Sequence, residues 1–398
     1  EYLGILSSKD RLNEVIVDEL SNIKTKIDSS RLTEITENEE TIDDESLIKS
    51  EDVVVTLTHT GYIKRVPLNS YRAQKRGGKG RSGMTTKQED FVNEVFVVNT
   101  LAPLLFFSSR GIVYKLKTYK LPIGSPTSKG KALVNLLPLR SGEQITAIMP
   151  YDVSENNIIF ATSTGNIRRN KLTDFHNINA NGKIAMKLNE SDKLVNVLTC
   201  SEDSNIFLST KLGKCIRFSC KDLRIFSGRS SIGVRGIKLS KGDSVISLAI
   251  LNGIDFDVNE RDEYLKISSS IRRNEVSSNK SNDTEKFSNL KSNEEFILSV
   301  TDKGFGKRSS AYEYRKTKRG GVGIANMQLS DRNGSQVVAS FPINDKDQLM
   351  LVTDKGKLIR CPVNDVRIGG RQTQGVTLFN VSDEEKVVSV IKIDDNIN

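Results

Sequence analysis

The chain has 398 residues, 36% of them hydrophobic and 27% charged, with a formal net charge of +9. That length allows two or three domains, or one large repeat domain with an appendage, and no run of 18 apolar residues offers a membrane-spanning helix. The positive excess suits an anionic partner. The opening Glu1-Tyr2-Leu3 has neither an initiator Met nor the basic start of a secretory signal, so the chain reads as a fragment with no secretory leader expected.

Residues 1–33 read as helical. Leu12, Ile16, Leu20, Ile23 and Ile27 recur at helical spacing and form one apolar stripe, which needs a partner surface. Residues 34–51 read as an acidic linker, because nine carboxylates from Glu34 to Asp52 face one Lys and no apolar period survives.

From Asp52 the pattern changes to short strands. Val53, Val55 and Leu57 lead into Thr58-His59-Thr60-Gly61, and a second strand follows at Tyr62-Ile63-Lys64-Arg65. The same hairpin recurs with glycines at Gly111, Gly165, Gly213, Gly304 and Gly356, each with Ser or Thr three residues earlier. Glycine there fits a loop that ends in the left-handed region. Four residues after each glycine stands a base: Arg65, Lys115, Arg169, Arg217, Arg308 and Arg360. Only about one residue in seven is Lys or Arg, so composition does not explain a fixed offset, and these six are expected to contact a polyanion.

The glycines are 50, 54, 48, 91 and 52 residues apart. The long interval contains residues 252–294, Ser- and Asn-rich and expected to be a disordered insertion that a short linker could replace without unfolding the rest. Removing it leaves six units of about fifty residues over 52–393, with 394–398 as a tail; short strands at that period indicate a propeller-like array of four-stranded blades.

Each unit carries a second glycine cluster, and the fullest is Gln74-Lys75-Arg76-Gly77-Gly78-Lys79-Gly80-Arg81. It sits within Tyr71 to Gln88, which holds six bases and no acid. Glycines let backbone approach a phosphate chain while Lys and Arg supply charge. Its nearest internal relative is Lys318-Arg319-Gly320-Gly321, which adds Arg319 to the candidate polyanion contacts. Catalytic groupings do not stand out. His59 and His176 lack triad or metal partners, no phosphate-binding loop occurs, and Cys200, Cys215, Cys220 and Cys361 have no C-x-x-C spacing and read as reduced thiols.

The segment Gln74–Gly80, together with Asp52 through Arg65 and Gly304-Phe305-Gly306-Lys307-Arg308, resembles the C-terminal region of the DNA gyrase A subunit, whose signature is this glutamine, basic and glycine box. The resemblance implies an all-β fold, a six-bladed β-pinwheel preceded by a short α-helical segment, with duplex DNA wrapped on a basic rim so that the ATP-dependent type II topoisomerase introduces negative supercoils. It implies a DNA gyrase A2B2 assembly in which residues 1–33 end the coiled-coil region of the breakage–reunion domain. The catalytic tyrosine lies upstream, and ATP and Mg are bound elsewhere, so this chain needs no cofactor and is inactive alone. Partners are then double-stranded DNA, the remainder of the gyrase A polypeptide and the gyrase B polypeptide, without a membrane, in the cytoplasm. Two alternatives stand beside it: the corresponding domain of the topoisomerase IV homologue, and a propeller scaffold for proteins, against which the absence of Trp counts.

Overall fold

The computed structural model describes residues 1–27, 44–58, 60–70, 92–125, 127–152, 157–253, 257–272, 285–355, 357–382 and 384–393. The chain divides into two compact units, Glu1–Leu47 and Ile48–Asn398. In the first, α1 (Tyr2–Ser7) is followed by α2 (Lys9–Ile27), which carries the expected apolar stripe. Leu12, Ile16, Leu20, Ile23 and Ile27 are all exposed there, so within this unit the stripe is uncovered.

The second unit is all-β, six blades in a propeller arrangement, as the fifty-residue period led us to expect. Each repeat supplies three long antiparallel strands, in the first repeat Asp52–Thr58, Tyr62–Pro67 and Val92–Asn99. The sheet order is third, first, second, so the first strand is central. It lies inside the sheet and between neighbouring blades, which explains its unbroken apolar runs such as Ile158, Ile159, Phe160 and Ala161, all buried. A fourth, two-residue strand comes from the following repeat: Lys131–Ala132 pairs with Tyr62 and Ile63, and Lys183–Ile184, Val234–Arg235, Ile324–Ala325 and Val376–Thr377 repeat the exchange. The sixth blade has three strands among the described residues.

The hairpin signature has a hydrogen-bond cause. In every repeat the Ser or Thr hydroxyl accepts the amide of the residue after the glycine: Tyr62 to Thr58, Ile112 to Ser108, Asn166 to Thr162, Lys214 to Thr210, Phe305 to Thr301 and Lys357 to Thr353, all at 3.1–3.3 Å. The described hairpin glycines adopt positive φ, and crowding adds to this. At Gly213, φ is 79° and a Cβ would lie 2.6 Å from the Met327 carbonyl of the next repeat. A side chain there would block the entry of the donated strand.

The hydrophobic cores lie between blades. Leu105, Phe107 and Val113 of the second repeat pack with Ile158, Phe160 and Phe175 of the third, and the other clusters join neighbouring repeats in the same way.

The insertion corrects our expectation. Instead of a disordered loop, its described part contains α3 (Val258–Arg272) and α4 (Glu285–Ser292). Tyr264, Phe287 and Leu290 bury themselves against Tyr312 of the fifth repeat, and the Tyr312 hydroxyl donates to the Leu290 carbonyl at 2.9 Å. Composition missed this because a few large apolar side chains among many Ser and Asn suffice to seat two helices on a ready-made surface. Replacing residues 255–292 with a short Gly/Ser linker is therefore expected to cost about 2–3 kcal/mol, the value of one large buried aromatic cluster member, rather than a few tenths. Thermal denaturation followed by circular dichroism checks this, and an unchanged midpoint would show that the helices contribute nothing to the blades.

Candidate nucleic-acid interface

The third strands of the second to sixth repeats adjoin one another, which places them innermost and puts the second and donated strands outermost. The peripheral surface is therefore made by each second strand and by the segment that leads from it to the strand donated to the preceding blade.

Four of the six periodic cations are buried beneath that surface, contrary to the sequence expectation. Arg65, Arg169, Arg217 and Arg308 are only 9%, 3%, 5% and 6% exposed. Each grips backbone carbonyls of the next repeat. Arg65 donates from Nε to Leu121 at 2.9 Å and from Nη2 to Tyr119 at 3.0 Å. Arg169 donates from Nη1 to Cys220 and Leu223 and from Nη2 to Glu202, the last at 2.7 Å. Arg217 donates to Ala311 at 2.8 Å and to Asn252 at 3.2 Å. Arg308 donates from Nε to Val366 at 2.7 Å and pairs with Asp345. The backbone of the same residue joins in, as where Phe226 N donates to the Arg169 carbonyl. Lys115, half-buried, reaches the His176 carbonyl at 2.6 Å and lies over the Tyr151 ring. Arg360 is exposed and meets Gln348 of its own blade. The fixed offset thus marks a clamp between repeats: a guanidinium can satisfy several carbonyls of a passing turn at once.

A second set of buried cations, one residue earlier in alternate repeats, has the same role. Lys64 donates to Ser125 and Ser128, Arg168 to Arg229 and Ser231, and Lys307 to Gly370 and Arg371. Burial pushes Arg168 down to about 10 and Lys307 down to about 7, and it lowers Lys64 as well. Groups held at this desolvation cost serve the fold and offer little to a phosphate.

The cations that do face outward lie on the segments leading to the donated strands. Residues 117–132, 171–187, 220–238, 311–325 and 363–377 hold eighteen Lys or Arg against four acids, Asp174, Asp222, Glu313 and Asp365. Charge is thus segregated, since the whole chain has 59 bases to 50 acids. Lys120, Lys131, Lys171, Arg224, Arg235, Arg315, Lys318 and Arg367 are exposed among them. Carboxylates gather in the loops between repeats, at Asp152, Glu202, Asp203, Asp345 and Asp347. Arg319, expected as a contact, is exposed on this surface, with its guanidinium braced by the Asp222 and Arg235 carbonyls at 3.2 Å. Gln74, Lys75, Arg76, Gly77, Gly78, Lys79, Gly80 and Arg81 lie outside the described residues.

A ribbon of exposed cations carried on successive blades can neutralise phosphates at regular intervals along a curved polyanion. Among the described residues there is no cluster of His, Cys, Asp or Glu able to hold a metal, and no helix is long and apolar enough to cross a membrane.

The family described as the DNA gyrase C-terminal domain, beta-propeller, matches six times, at residues 52–99, 102–152, 156–201, 204–252, 295–344 and 347–394. These bounds coincide with the repeats and leave out the insertion. The DNA gyrase A subunit of Rickettsia bellii is 50% identical over 414 residues, covering 100% of this chain and 46% of the relative. That of Rickettsia prowazekii is 51% identical over 403 residues, covering 98% and 44%. That of Salmonella typhimurium is 39% identical over 388 residues, covering 97% and 39%. The chain spans less than half the length of these relatives. Among solved structures, a DNA gyrase A C-terminal domain superposes with a TM-score of 0.59 at 25% identity, over 86% of this chain and 100% of that one. The C-terminal domain of a DNA topoisomerase IV superposes with a TM-score of 0.68 at 22% identity, over 88% and 95%, which is a likeness of fold.

Proposed function

This chain belongs to the DNA gyrase C-terminal domain family, and from that premise we propose that it is the part of the gyrase A polypeptide that binds duplex DNA and bends it around the blade periphery. The observation that carries this is the segregation of exposed Lys and Arg onto the peripheral segments. Contacts of that kind hold phosphates and DNA curvature rather than base sequence. In the whole enzyme, an A2B2 assembly with ATP and Mg held elsewhere, the bent segment would be presented for strand passage so that negative supercoils result. The cytoplasm, where a bacterial chromosome lies, is the compartment this reading requires. The box at Gln74–Arg81 and the relatives named for gyrase favour gyrase over topoisomerase IV.

Binding should be weakly sequence-dependent and steeply salt-dependent. If about six to ten phosphates are neutralised, affinity should fall about 10³- to 10⁵-fold between 50 and 200 mM salt. Fluorescence anisotropy on a long duplex checks this, and a flat salt response would sink the proposal. Ligating nicked plasmid with the chain bound then reports whether the bend is chiral, through the sign of the linking-number change.

A further inference from the structure

The insertion stands at one place on the periphery, and it makes a cleft there. Tyr264 and Phe287 seat it on Tyr312, at the start of the fifth repeat's basic segment; the Tyr264 ring centroid lies 5.7 Å from that of Tyr312 and 4.9 Å from that of Phe287. Its neck is tied where the Asn252 amide donates to Glu295 at 2.8 Å. So held, α3 faces the peripheral segment of the sixth repeat across a cleft of about 1190 Å³. One wall presents Lys266, Ser269, Ser270 and Arg272, and the other presents Arg367, Ile368 to Gly370, and Thr373 to Val376. The floor is formed by Lys307 and Arg308, and Glu313 is the one carboxylate in the lining. Lys266 and Arg367 are exposed.

We propose that the cleft between α3 and the sixth repeat's peripheral segment is a two-walled groove for a sugar–phosphate backbone, by which the insertion adds its own contact to the DNA path. This rests on the DNA-binding reading above. Three features support it. Each wall carries one exposed cation, Lys266 or Arg367, and the single acid in the lining already accepts the Arg371 amide, while Lys307 and Arg308 are spent on the fold and Arg272 on Glu294. Lys266, Ser269 and Ser270 are spaced so that one helical face offers a cation and two hydroxyls. The opposite wall continues the basic ribbon of the other repeats, so a backbone following that ribbon arrives at the groove. The six family matches skip residues 253–294, so nothing in the shared repeats supplies the α3 wall.

The test compares the full chain with Lys266→Ala, Arg367→Ala and the double variant, by hydroxyl-radical footprinting and salt titration on a long duplex. Both positions are exposed, so the variants should melt with the wild type. The groove predicts that each single variant flattens the log–log salt slope by about one, and that the double variant loses protection over one discrete backbone stretch while protection elsewhere persists. Unchanged slope and footprint in the double variant, with the wild type still protecting DNA, would overturn the groove and leave the broader reading standing. Tighter binding by the double variant would identify α3 as a barrier and overturn it too. A wild-type chain that protects no DNA would overturn both. A free polyphosphate shares the chemistry: if tripolyphosphate raises the melting temperature of the wild type but not of Lys266→Ala, while the DNA footprints match, the site takes small anions and the groove is wrong.

Discussion

Replacing Arg217 with Met is expected to destabilise the junction between the fourth and fifth repeats by about 3–5 kcal/mol, because a buried donor is removed and carbonyls are left unsatisfied. Its guanidinium donates to Asn252, at the neck of the insertion, and to Ala311, which follows the second strand of the fifth repeat. One side chain therefore closes the longest interval in the chain and anchors the turn on which the insertion sits. Met keeps much of the stem, so the loss reports the hydrogen bonds more than the packing. Chemical denaturation of the variant and of Arg360→Ala makes the contrast. Arg360 holds the same sequence position but is exposed and, among the described residues, meets its own blade at Gln348, so its removal should stay within about 0.5 kcal/mol. The salt slope of DNA binding by folded Arg217→Met should equal that of the wild type. A variant of undiminished stability whose slope drops by about one would return Arg217 to the phosphate contacts.

This contrast also shows what the sequence made legible. Repeat number, period and hairpin geometry follow from local chemistry: a glycine in the left-handed region and a hydroxyl four residues before the amide it accepts leave a fixed mark on every copy. The periodic base leaves the same kind of mark, and it was visible for the same reason, but its use was not. Spacing reveals that a residue is required, and not whether the requirement comes from a ligand or from the next repeat. Arg65 and Arg169 answer to carbonyls of Leu121 and Cys220, each more than fifty residues away in sequence, and only the strand exchange brings them together.

The outward cations are irregular by contrast. Arg224, Arg315 and Arg367 stand eleven residues after their hairpin glycines, but Pro122 and His176 hold that place in the second and third repeats, whose exposed cations Lys120 and Lys171 sit elsewhere, because a flexible side chain on a rim can reach a phosphate from several positions. Their signal was regional, an excess of base over acid between each second strand and the following donated strand. The insertion was misread because its composition is polar on average, while its seating depends on Tyr264, Phe287 and Leu290 meeting one tyrosine of a neighbouring repeat.

Replacing Lys75, Arg76, Lys79 and Arg81 together with Ala is expected to change DNA topology far more than DNA affinity. The blades should stay folded, because the buried clamps at Arg65, Arg169, Arg217 and Arg308 are untouched. Short-duplex binding should persist, because the exposed cations of residues 117–132, 171–187, 220–238, 311–325 and 363–377 remain. A short duplex need not bend, so a few phosphate contacts suffice for it. A wrapped duplex must be bent along its whole arc, at an elastic cost of about 1–6 kcal/mol for every 20–30 bp. That cost is offset only while contacts continue, and the box is the densest run of base in the first repeat. Without it the arc should release at one end, and its writhe should relax. Nicked plasmid ligated on the variant should come out close to relaxed, where the wild type shifts the linking number. Gyrase assembled with the variant should lose supercoiling before ATP-driven relaxation. If the variant shifts linking number as fully as the wild type, the bend is set by the segments of the second to sixth repeats alone, and the box has another role.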